Sequence, residues 1–115
     1  MSRAAPARGE IWQVDLAPTR GHEQSGLRPA LVISVDEFNY GPAGLVVVLP
    51  VTRRDRGIAL HVRMEPPEGG VEEASVILCD QIRCVSQERL RRCLGRVSAV
   101  TLGEVEDRLR ILLGL

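Results

Sequence analysis

An imidazole, a carboxylate, an amide and a guanidinium stand close together in RGHEQSGLRPALVIS, the stretch from Arg20 to Ser34, as His22, Glu23, Gln24 and Arg28. Histidine, with a reference pKa of ~6.5, and glutamate are suited to proton exchange. The planar fork of an arginine grips two oxygens of an anion at once. The stretch runs straight into the apolar segment ALVI, which places these groups on a loop tied to a core strand. Such loops are where binding and catalytic groups concentrate.

With 115 residues and 44% hydrophobic content, the chain fits one compact domain that buries about two-thirds of the surface its unfolded form exposes. Residues 1–8 read as a flexible tail and residues 9–115 as that single domain. Fifteen cations balance fifteen anions, so a nucleic-acid partner has to be attracted by a local patch and not by net charge. All fifteen cations are Arg, a bias that coding composition explains more readily than function. Cys79, Cys84 and Cys93 form no CxxC pair, and an odd number closes no disulfide framework. With only His22 and His61 to add, a metal site is not expected. The opening MSRAAPAR lacks the apolar core of a signal peptide. No segment reaches the ~18 apolar residues of a membrane span, so the expectation is a reducing cytoplasm.

Glu10 to Leu16 alternates with Trp12, Val14 and Leu16 on one face, as a half-buried strand does. Ala30 to Val35 and Leu45 to Val51 are continuous apolar runs suited to strands covered on both faces, separated by the turn-forming DEFNYGPAG. From Ile58 to Glu65 the pattern alternates again, and it puts His61 on the polar face as a solvated side chain. EPPEGG forces a loop, and strand character resumes from Ser75 to Val85, with Cys84 sharing the parity of Ile82 and so expected to be buried. Two helices are predicted after it. Ser86 caps QERLRRCL, stapled by Val85 and Leu90 and ended by Gly95, with Arg89, Arg91 and Arg92 on its solvated face; Thr101 and Glu104 then form a capping box for the last helix. Val105, Leu109 and Leu112 recur there at helical spacing. Five or six short, mostly antiparallel strands followed by helix give a small barrel of the α+β class.

RGEIWQVDL, then PTRGHEQSGLRPALVIS, then VVVLPVT, then ASVILCDQIRCV and a final amphipathic helix run from about Arg8 to Leu112. In that order and spacing they resemble the MazF (PemK-like) toxins of bacterial toxin–antitoxin systems. The resemblance implies an SH3-like antiparallel β-barrel with a C-terminal helix, the MazF/CcdB-like fold, assembled as a homodimer. It implies an endoribonuclease, or mRNA interferase, that needs no metal or other cofactor and cuts single-stranded RNA at short sequences. It also implies neutralisation by a MazE-like antitoxin whose acidic, flexible C-terminal segment lies over the RNA groove. Carried over residue by residue, the arginine of the G-x-R-P motif is Arg28 and the hydroxyl of the P-x-T motif is Thr52, the catalytic pair. The G-x-E-Q loop supplies His22, Glu23 and Gln24, and the D/E-Q-I-R motif supplies Asp80, Gln81 and Arg83.

Cutting RNA without a metal means letting the 2′-hydroxyl attack its own phosphate, which leaves a 2′,3′-cyclic phosphate and a 5′-hydroxyl. Arg28 suits stabilisation of the charge that develops on phosphorus, and Pro29 stiffens the backbone that presents it. A guanidinium with a reference pKa of about 12.5 or more holds almost no free base near neutrality, which leaves His22 and Glu23 as the titratable candidates to assist. Thr52 orients the phosphate. Gln24, Asp80 and Gln81 can bond the edges of splayed-out bases, and Arg53 can track the phosphates, whereas Arg54 and Arg56 read as a solvated turn. Two other readings compete: a CcdB-like toxin that binds DNA gyrase, and a non-catalytic RNA-binding module. The gyrase binders rely on a C-terminal Trp, and this chain ends ILLGL.

Overall fold

A computed structural model describes residues 5–17, 21 and 26–115. Seven strands form one sheet: β1 (Glu10–Asp15), β2 (Leu27–Val32), β3 (Leu45–Thr52), β4 (His61–Met64), β5 (Ser75–Leu78), β6 (Arg83–Ser86) and β7 (Leu90–Arg96). A short helix, α1 (Asp36–Asn39), bridges β2 and β3, and α2 (Ala99–Leu113) ends the chain. The strand order is β4-β5-β3-β2-β1-β7, with β6 also on β3, and every pairing is antiparallel. This is the expected α+β fold, although β4 and β7 end the path without pairing to each other, so the sheet does not close into a complete barrel.

Alternating side chains sort into two cores. On one face Ile11, Leu31, Leu49, Val51, Val62, Met64 and Ile77 meet Val97 and Val105, with Leu102 and Leu109 of α2 packed against them. On the other face Val14, Leu16, Ala30, Val32, Val46, Val48, Val85 and Leu90 cluster, with Trp12 against them. That second cluster draws on β1, β2, β3, β6 and β7 together. Strands buried on both faces explain the uninterrupted apolar runs of β2 and β3.

Three expectations are corrected. Ser86 does cap, its hydroxyl accepting from the Glu88 N–H at 3.3 Å, but the cap serves only a 3-10 turn, Gln87–Arg89. The rest of the predicted first helix is β7, paired along β1 from Glu10↔Arg96 to Val14↔Leu90. Burial of Leu90 in the second core and a complete strand ladder override local helix signals. Gly95 is consequently not a helix terminus. A Cβ there would lie 2.7 Å from the Gly69 carbonyl carbon, and one on Gly70 would lie 2.0 Å from the Leu94 oxygen. The EPPEGG loop and β7 therefore touch backbone to backbone, which only glycines permit.

Cys84 is the second correction: it is exposed, as is Cys93, and only Cys79 is buried. The chain breaks at Cys79–Gln81 before β6 begins, which resets the alternation that the sequence carried through from Ser75. Third, α2 starts at Ala99, because Ser98 and not Thr101 is its N-cap, accepting from the Thr101 N–H at 3.2 Å. Thr101 is itself buried within the first turn. Near the start of the chain Arg8 is anchored, its Nε donating to the Ile33 carbonyl at 3.0 Å and its Nη2 2.7 Å from Glu106 Oε2 of α2.

Candidate active site

The pairs Ala30↔Pro50, Leu31↔Leu49 and Val32↔Val48 set the β2–β3 register. Carried to the strand ends, this register places Arg28 opposite Thr52, and the two-residue alternation puts both on the face of Ala30 and Val48. Residues directly opposite on one face have Cβ atoms ~4.5–5.5 Å apart, so strand pairing alone brings a guanidinium to a hydroxyl. Arg28 is exposed and Thr52 half-buried. Both line one open cleft of about 400 Å³. β2 begins three residues earlier than the apolar run indicates, at Leu27 and not Ala30, and that extension takes Arg28 into the strand.

The other wall comes from β4 and β5. Their pairing puts His61 opposite Leu78, after which the chain leaves β5 in the 3-10 turn Cys79–Gln81. The turn carries Asp80 and Gln81 into the same cleft. It also swings Asp80 over His61, whose Nε2 lies 2.8 Å from Asp80 Oδ1. The His61 side chain is 5% exposed and that of Asp80 34%, so the expectation of a solvated histidine is wrong. His61 Nδ1 is buried and has no hydrogen-bond partner among the described residues. Nothing local announces this pair, whose members are 19 residues apart. The one available signal is the polar DQ that interrupts SVILCDQIRCV.

Arg53, Arg54 and Arg56 line the cleft beside Arg28, opposed among the described lining residues by the single carboxylate of Asp80. The described lining is thus cationic in a chain of zero formal net charge. Arg54 and Arg56 are exposed, as expected, but they belong to this surface and not to a remote turn. Thr52 Oγ1 accepts from the Arg54 N–H at 3.2 Å, which ties the hydroxyl to the start of the arginine segment and leaves its own proton to donate. Arg53 makes an exposed ion pair with Glu73 at 3.0 Å.

Arg83 is half-buried and donates from Nη1 to the Leu16 carbonyl at 3.1 Å. Arg89 donates to the carbonyls of Asp15, at 3.3 Å, and Ala17. These two arginines, one expected at RNA and the other on a solvated helix, hold the stem of the loop that leaves β1. His22, Glu23 and Gln24, which follow in the sequence, lie outside the described residues. Among the described residues no group of three or more His, Cys, Asp or Glu side chains could hold a metal ion. Burial pushes the Cys79 thiol up to about 11, with Arg108 opposing and Asp80 adding to the rise, so this cysteine is protonated core and not a nucleophile. No helix among the described residues is long and apolar enough to cross a membrane.

Residues 7–113 match the family described as PemK-like, MazF-like toxin of type II toxin-antitoxin system. Endoribonuclease MazF9 of Mycobacterium tuberculosis is 38% identical over 113 residues, 94% of this chain and 96% of that protein. The crystal structure of MazF from Deinococcus radiodurans is similar with a TM-score of 0.87 at 36% identity, covering 98% of this chain and 100% of that one. A MazE–MazF structure from the same organism gives a TM-score of 0.80, also at 36% identity, over 98% of this chain and 99% of that one.

Proposed function

Because this chain belongs to the PemK-like, MazF-like toxins of type II toxin–antitoxin systems, we propose that its arginine-lined cleft is the active site of a metal-independent endoribonuclease acting on single-stranded RNA. The observation that carries this reading is the juxtaposition of Arg28 and Thr52 on one cleft wall by the β2–β3 register. The scissile phosphodiester sits between them. Attack by the adjacent 2′-hydroxyl forms the new P–O bond, the bond to the 5′-oxygen breaks, and a 2′,3′-cyclic phosphate and a 5′-hydroxyl result.

Arg28 acts by charge. Its fork bonds the non-bridging oxygens as negative charge accumulates on them, a contribution that is larger in the transition state than in the bound substrate. Thr52 donates its hydroxyl proton to the same phosphate and holds it in line for attack. The 2′-hydroxyl proton goes to a group other than Arg28, and His22 and Glu23, between β1 and β2 in the sequence, are the candidates. Arg53 and its neighbours track the backbone phosphates. Asp80 and Gln81 of the cleft face the bases, whose unstacked edges carry the sequence information, with Gln24 and Arg83 as the further candidates by motif.

The same positive cleft suits the acidic, flexible segment of a MazE-like antitoxin, which would occupy it in place of RNA. The active form is a homodimer that meets its RNA in the cytoplasm. The test is incubation of the purified protein with long single-stranded RNA in the presence of EDTA, followed by mapping of the ends. Cuts at one short recurrent sequence, with cyclic-phosphate and 5′-hydroxyl ends, are expected. Intact RNA, or cleavage that EDTA abolishes, would overturn the reading.

A further inference from the structure

The His61–Asp80 pair has no part in the chemistry assigned to Arg28 and Thr52, yet it is built into the same cleft. Its geometry excludes one role at once. Nε2 of His61 is committed to Asp80 and Nδ1 is buried, so neither nitrogen reaches a substrate proton. The ring is not a general base.

Resting on the endoribonuclease reading, we propose that His61 is a positioning residue: it holds Asp80 by one carboxylate oxygen so that the other accepts an N–H from the amino group of one base of the bound RNA. A carboxylate oxygen accepts, so Nε2 donates in this contact. With one end of the contact fixed by a strand, the carboxylate has a single orientation before RNA arrives, and less rotamer freedom is lost on binding.

The chemistry of the second oxygen selects the base. Adenine, cytosine and guanine each offer an exocyclic amino group to a carboxylate. Uracil offers only N3–H, flanked by two carbonyl oxygens that repel the charge. Asp80 therefore favours an amino-bearing base and disfavours uracil at one position of the cleavage sequence. The side chain is 34% exposed, which is what a group bonded on one side and open on the other requires.

The experiment is deep sequencing of cut ends from an RNA pool randomised around the cleavage site, using wild type, Asp80→Asn, His61→Leu and His61→Gln. Wild type is expected to prefer amino bases over uracil at one position by roughly tenfold or more, the discrimination of one good base contact. Asp80→Asn can donate as well as accept, and it loses that preference. His61→Leu removes the clamp and loses the preference at the same position. His61→Gln, whose amide N–H reaches where Nε2–H stood, restores it. A protein that is merely less stable cuts less at every site and does not change preference at one.

Unchanged preference in Asp80→Asn or His61→Leu overturns the proposal while leaving the nuclease reading intact, and so does loss of the preference in His61→Gln. Should His61→Leu fail to fold, Asp80→Asn and His61→Gln still decide. Absence of any cutting by wild type fails the nuclease reading itself, and the proposal with it.

Discussion

On the β2–β3 wall of the cleft, Arg28 and Thr52 stand two residues beyond the last ladder pair, Ala30↔Pro50, and line the same cleft. On the β4–β5 wall, His61 and Asp80 meet because the chain leaves β5 and folds a 3-10 turn back over β4. The first wall carries an exposed guanidinium and a half-buried hydroxyl. The second carries a pair already bonded to each other at 2.8 Å. On the proposed reading, regular pairing suffices to place groups whose task is charge and hydrogen bonding to a backbone that every RNA shares. Reading a base would call for a fixed acceptor at a defined angle, which the interruption of a strand at Cys79–Gln81 would supply.

The largest difference between the walls is expected from Arg28→Ala. Cleavage should fall by roughly two to three orders of magnitude, as when one donor to a developing oxyanion is removed. Because Arg28 is exposed, the melting temperature should stay close to wild type, and single-turnover cleavage alongside a thermal melt measures both. Arg28→Lys keeps the charge but not the fork and is expected to recover little. A loss confined to binding, with the chemical step intact, would move Arg28 from charge stabilisation to docking.

Thr52→Val comes next, with a loss of about tenfold to a hundredfold in the chemical step from a loosened phosphate, while Thr52→Ser retains most of the activity. The same variant gives up the acceptor for the Arg54 N–H, so the start of the arginine segment should exchange amide hydrogen faster. Arg53→Ala should weaken RNA binding only a few-fold, because an exposed ion pair with Glu73 already engages this side chain. The salt dependence of binding should then flatten by about 0.7 in log–log slope, one single-strand phosphate contact, with no change in the cleavage sequence.

The smallest effect lies away from both walls. Burial would raise the Glu68 carboxyl, but hydrogen bonds from the Thr101 hydroxyl and from the Ser98 N–H and hydroxyl outweigh it and hold the group below its ordinary 4.5. A depressed carboxylate stabilises the fold above the unfolded value, and that contribution disappears as the pH falls from 4.5 through the folded value. Denaturant titrations should therefore show a shallower acid loss in Glu68→Gln than in wild type. Cleavage preference should be the same in the two.

How much of this was legible follows from the same contrast. The apolar runs of β2 and β3, the alternation of β1 and the Val105 and Leu109 part of the α2 stripe are set by period and burial and are found as elements, although β2 is displaced to Leu27–Val32 and Leu112 is exposed. The Arg28 and Thr52 positions came from the resemblance, through the G-x-R-P and P-x-T motifs, and not from periodicity. β7 could not be read, since Ser86, Leu90 and Gly95 satisfy helix rules locally, and only pairing to β1 and the close approach of Gly69 and Gly70 decide otherwise. His61 was misplaced for a related reason. Its alternation within β4 is correct, with Val62 and Met64 buried, but the polar face of that strand is covered by a turn from elsewhere in the chain. Periodicity reports which face a side chain takes and is silent on what later folds over it.

The central claim, that Arg28 and Thr52 hold the scissile phosphate, is tested most directly by a structure with an RNA made uncleavable by a 2′-deoxy substitution at the cut site. The account predicts the phosphate in the cleft, with its non-bridging oxygens within hydrogen-bonding distance of the Arg28 guanidinium and the Thr52 Oγ1. A scissile phosphate bound elsewhere on the protein, with Arg28 and Thr52 still facing solvent, would contradict it.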